Sequence, residues 1–63
     1  MNTYEERVEL AKALGEQMIQ REISRCRTQM GEFQWKEHGD WVTENIVAAA
    51  KIWLARELKE GRL

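Results

Sequence analysis

The segment Trp41 to Leu58, WVTENIVAAAKIWLAREL, restricts the fold more than any other part of the chain. Twelve of its 18 residues are apolar, and they do not sit on one face. A helix that is apolar almost all round needs cover from more than one side. A chain of 63 residues has little material with which to provide two covering surfaces. The segment therefore points to a second chain.

Its apolar residues resolve into two seams. Val42, Ile46, Ala49 and Trp53 form one, at spacings of four, three and four. Val47, Ala50, Leu54 and Leu58 form the other. Ala48, Ile52 and Ala55 lie between them on the far side, and the polar residues are scattered. One seam is expected to pack on the rest of the chain and the other on a second copy. All eight seam residues are therefore candidate interface positions.

Small size supports this expectation. Below about 70–80 residues, a single core rarely supplies more than roughly 3–5 kcal/mol, and small chains add a disulfide, a metal or a partner. Cys26 is the only cysteine, so an intrachain disulfide is impossible. Its ordinary role is that of a small buried hydrophobe. His38 is the only histidine, and one Cys with one His falls short of a zinc ligand set. Oligomerisation remains.

The pattern before Trp41 is helical too. Proline is absent, as are strand alternation and Asn-Gly or Asp-Gly turns. Thr3-Tyr4-Glu5-Glu6 fits a capping box that starts a helix. Tyr4, Val8, Ala11, Met18, Ile19, Ile23, Cys26 and Met30 make its stripe, widened by Leu10 and Leu14. Gly15 interrupts that stripe at about 1 kcal/mol against alanine, which suggests close packing there. Glu22 also projects onto it. It reads either as a marginal carboxylate paired with an arginine or as a polar contact that sets register across a seam. Gly31 suits the position just after the helix.

The expected architecture is all-α: an antiparallel two-helix hairpin that self-associates into a dimeric four-helix bundle. Residues 1–63 form one domain, with a helix over about 4–30, a loop over 31–40 and a helix over about 41–60. Asp40 is expected to cap the second helix and Gly61 to follow it.

Chemistry is sparse. Cys26, His38 and Asp40 are the only set that could suggest nucleophilic catalysis, and no Gly-rich elbow accompanies them. Phosphate-cradle glycine motifs and ExxH di-metal motifs are missing. No enzyme activity and no cofactor are expected. The N-terminal stretch lacks the apolar core of a signal peptide. The longest nearly apolar run, Ile46 to Ala55, is half the length a membrane span needs. A cytoplasmic setting is expected, with no membrane partner.

Two surfaces are candidates for recognition. Phe33, Trp35, Lys36 and His38 lie in the expected aromatic loop, where tryptophan suggests a protein hot spot. Trp41 and Phe33 are expected to serve mainly as a lid on the core, and Trp35 suits either role. Arg21, Arg25 and Arg27 form the best basic cluster and would suit phosphate contact. The net charge of −1, from 10 basic and 11 acidic residues, is not that of a general nucleic-acid binder.

The chain reads as a non-enzymatic, homo-oligomeric interaction module, an adaptor or inhibitor of a larger protein not identified by the sequence. The rival reading is a small helical nucleic-acid-binding regulator using the arginines. In type, small helical chains of mixed charge resemble phage and mobile-element accessory proteins. That resemblance assigns no residue.

Overall fold

The computed structural model describes residues 3–63. The chain is all-helical: one helical run, α1, spans Tyr4–Lys59. A straight helix of those 56 residues would measure about 84 Å at 1.5 Å per residue. The longest dimension of the molecule is 47 Å, with a cross-section of 15 × 14 Å. The run is therefore folded back on itself.

The fold-back is at Gly31, whose φ of 84° and ψ of 163° are the only non-helical values inside α1. That region of backbone space is essentially reserved for glycine. Residues 4–30 and 32–59 then lie against each other in opposite directions. A Cβ built on Gly15 would sit 2.6 Å from Leu54 Cδ1. At the open end, the Arg7 guanidinium donates to the main-chain oxygens of Leu58, at 2.8 Å, and Leu63.

Both ends of α1 are capped as their residues dictate. The Thr3 hydroxyl accepts from the Glu6 amide at 3.2 Å, the first half of a capping box. At the other end, Gly61 has φ 77°. Its amide donates to the Leu58 carbonyl at 3.2 Å, and the Arg62 amide donates to the Glu57 carbonyl at 2.9 Å. This pair of bonds is a Schellman motif. The hydrophobic contact that often accompanies it is replaced by an ion pair: Arg62 closes on the Glu57 carboxylate.

The loop expected over 31–40 is absent. Helix resumes at once after Gly31, and Asp40 lies inside it rather than capping it. The physical reason is composition. Glu32 to His38 contains no proline and no β-branched residue, and glutamate, glutamine and lysine are good helix formers. Gly39 does not end the helix because it is a packing residue. It is buried, and a Cβ there would meet Trp35 Cε2 at 2.9 Å. The Trp35 indole lies on the bare backbone of Gly39.

The space between the two halves is narrow. Ala11 and Ala50, 3% and 7% exposed, are the only buried hydrophobic side chains among the described residues. Gly15 and Gly39 are buried as well. Small residues let the halves approach closely, so this seam is tight but contains little apolar volume.

Candidate interaction surface

The two seams of residues 41–58 have different fates. Val47, Leu54 and Leu58 are half-buried and Ala50 is buried, and Leu54 packs at Gly15. This is the seam that closes on residues 4–30. The other seam borders a groove. Ile46, Ala49 and Trp53 line its wall beside Ala50, facing Met18, Ile19 and Glu22 of the first half. The groove encloses about 400 Å³. Val42 continues the seam and is half-buried, while Ala49 and Trp53 are exposed to solvent. On the far side, Ala48, Ile52 and Ala55 are exposed as well.

The groove is built from the 3.6-residue period. Ile46, Ala49 and Trp53 recur at spacings of three and four and so share a face. That face is adjacent to the one that carries Ala50 and Leu54. One helix thus presents one apolar face inward and a second one to the groove.

Glu22 is the charged member of the groove lining. Arg25 binds its Oε2 through Nε at 3.1 Å and Nη2 at 2.5 Å, and its Nη1 donates to Gln29 Oε1 at 3.2 Å. The hydrogen bond from Arg25 holds the Glu22 carboxyl below its ordinary range. Glu22 is therefore a half-buried carboxylate paired with arginine, on the margin of the stripe.

The basic cluster is already engaged. Arg25 is committed to Glu22 and Gln29. Arg27 makes a two-pronged pair with Glu32 across Gly31, at 2.9 and 3.0 Å, and this bond raises the Arg27 pKa and lowers that of Glu32. Arg21 is exposed. A phosphate seeking all three guanidinium groups would have to compete with two internal carboxylates.

Of the aromatic residues, Phe33 and Trp41 are placed opposite to the lid role expected of them, and Trp35 takes one of its two expected roles. Trp35 is half-buried on Gly39 and belongs to the packing. Phe33 and Trp41 are 74% and 67% exposed, so neither is a lid. Trp41 precedes Ala50 by nine residues, which is two and a half turns, and so lies on the face opposite the inner seam. Lys36 and His38 are exposed on the same helix. They are not on a loop, and the candidate contact residues Phe33, Trp35, Lys36 and His38 do not converge on one face.

His38 and Asp40 are two residues apart on a helix, a spacing at which side chains do not face each other. Cys26 is half-buried and free. Among the described residues, no group of three or more Cys, His, Asp or Glu is placed to hold a metal ion. Among them, too, no helix is long and apolar enough to cross a membrane.

Two features escaped the sequence reading. Arg7 lies on the apolar stripe, one turn before Ala11, where an arginine looks like a misfit. Its position makes sense only once the end of α1 is brought beside it. The Glu57–Arg62 pair spans the helix end and has no helical spacing to announce it.

Comparison of the chain with known protein families, curated proteins and solved structures finds no match.

Proposed function

We propose that the chain is a non-enzymatic interaction protein: a helical hairpin that pairs with a second copy into a four-helix bundle and, as that dimer, docks on a larger protein. One observation carries the self-association. The isolated chain exposes 5153 Å². A folded monomer of 7.5 kDa exposes roughly 4,200 Å² by the usual scaling of surface with mass. The surplus of about 900 Å² is close to the roughly 800 Å² that each partner contributes to a standard interface. The exposed surface includes Ala49 and Trp53 of the outer apolar seam.

Exposed Phe33 and Trp41 support the docking part of the reading. Large exposed aromatics are the residues most often used as anchors in protein interfaces. The arginine cluster supports a nucleic-acid role less well, because two of its three members already hold carboxylates.

Sedimentation equilibrium over micromolar concentrations tests self-association. The expected mass is twice 7.5 kDa. A stable monomer with full helicity at those concentrations contradicts the reading. Fluorescence anisotropy with duplex DNA tests the rival: tight binding that weakens steeply with salt would favour it.

A further inference from the structure

We infer that two copies pair through the far face of residues 32–59, running in opposite directions, with Trp41 of each against Ile52 of the other. This inference rests on the self-association proposed above and gives the second copy its face, direction and register.

The far face carries a strict repeat. Trp41, Asn45, Ala48, Ile52, Ala55 and Lys59 follow one another at spacings of four, three, four, three and four. That is the seven-residue repeat by which one helix lies along another. The segment is helical throughout, and all six residues are exposed, with Trp41 at 67% and Ile52 at 63%. Ala50 is buried on the opposite side, so the protomer itself leaves the repeat unused. Asn45 is the polar residue near its middle. Its side-chain amide already donates to the Trp41 carbonyl at 2.8 Å, which lowers the cost of covering it.

Charge selects the direction. Glu44 and Lys51 flank the repeat on one edge, about two turns apart, and both are exposed. Copies running in the same direction bring each level of the repeat against itself, so Lys59 meets Lys59. The Glu44 edge then lies against the edge that carries Ala49 and Arg56. Lys51 comes near Arg56, and Glu44 finds no base. Copies running in opposite directions bring the Glu44 edge against itself. One register then sets Lys51 on Lys51, and another sets Glu44 on Glu44. The register between them joins each Glu44 to the other copy's Lys51, twice, with no like charges in contact. Such flanking pairs are what fix orientation between paired helices.

The same register satisfies the apolar residues. It overlaps the helices from Gln34 to Lys59, sets Trp41 against Ile52 on both sides of the centre, and places Asn45 beside Ala48 between them. On the other edge Val42 meets Ala49. Four helices then lie side by side, with residues 4–30 of each copy outermost. Trp41 is taken up in the pairing, and Phe33 stays exposed for a larger protein.

The test is charge exchange read by sedimentation equilibrium. Glu44→Lys and Lys51→Glu each put two like-charge contacts across the pairing and are expected to weaken the dimer about tenfold. The double variant, Glu44→Lys with Lys51→Glu, is expected to restore the wild-type constant. Within one chain the two residues are about 10 Å apart along the axis, so the rescue reads contact between copies. Single variants without effect, or a double variant that stays weak, overturn the direction and register. The face is tested by Ile52→Glu, which is expected to halve the mass with helicity retained, because Ile52 is exposed in the protomer. A mass that stays doubled overturns the far face as the seat and leaves self-association standing. A monomeric wild type removes both.

Discussion

Gly15 lies directly under Leu54, so close that a Cβ at position 15 would come within 2.6 Å of Leu54 Cδ1. The glycine on the apolar stripe is thus a contact point between the two halves. Alanine there gains about 1 kcal/mol of helix propensity but displaces the leucine. Gly15→Ala is therefore expected to stabilise the chain by clearly less than that, or not at all. In a Leu54→Ala background the obstacle is gone, and the same substitution is expected to give close to the full 1 kcal/mol. Thermal melts of the four proteins in this cycle read the coupling, and additive values would show that the two residues do not touch.

Trp35 and Gly39 form a second pair of this kind, with a stiffer partner. A Cβ at 39 meets three ring atoms of the indole between 2.9 and 3.2 Å. Gly39→Ala is expected to cost about 1–3 kcal/mol, the usual penalty for overpacking, despite its better propensity. Trp35→Ala is expected to lower the melting temperature as well. An unchanged melting temperature in Trp35→Ala would return that tryptophan to the role of a recognition residue.

Arg7 ties the start of α1 to its end through carbonyls of the last turn and beyond. The guanidinium also faces the negative end of the helix dipole. Arg7→Gln is expected to destabilise the chain by about 1–2 kcal/mol, from the loss of charged hydrogen bonds at a half-buried site. Hydrogen exchange should locate the effect: amides of the last turn before Glu60 should exchange faster, with those near Gly31 unaffected.

The carboxyls of Glu22, Glu32 and Glu57 are each held low by hydrogen bonds from Arg25, Arg27 and Arg62 respectively. The unfolded chain takes up these protons near the ordinary glutamate value of about 4.3, while the folded chain resists them. Their contribution is therefore complete above that value and is lost as pH falls through the lowered folded values. The melting temperature is expected to fall between about pH 5 and pH 3, and less steeply in Glu57→Gln. Identical slopes in the two proteins would show that the Arg62 pair does not contribute.

Much of this is legible in the sequence. Thr3, Gly31 and Gly61 act by local backbone chemistry, which needs only their near neighbours in sequence, and all three sit where the sequence reading put them. The two seams of residues 41–58 were legible because 3.6-residue periodicity survives in any context. Which seam turns inward was not, because it depends on Gly15 leaving room for Leu54. The segment after Gly31 misled for a related reason. Its glycine at position 39 looks like punctuation until the Trp35 ring is seen lying on it. The candidate contact residues Phe33, Trp35, Lys36 and His38 were grouped as a loop, and a helix spreads them around its axis. In the arginine cluster, the Glu22–Arg25 pair was legible from its i,i+3 spacing, whereas the Arg27–Glu32 pair was not, because it spans the break at Gly31.

The reversal at Gly31 occupies a single residue, with helix on both sides. A side chain at that position disfavours its backbone conformation by about 1–3 kcal/mol, and the nearest alternative for the residue is ordinary helix. Gly31→Ala is thus expected to act less as a defect than as a hinge locked open. The chain would straighten toward one rod of about 84 Å, in place of the 47 Å of the folded molecule. Its bare inner seam would then take the matching half of another chain, an exchange of identical elements between protomers. Small-angle scattering would read this directly as a near doubling of the maximum dimension.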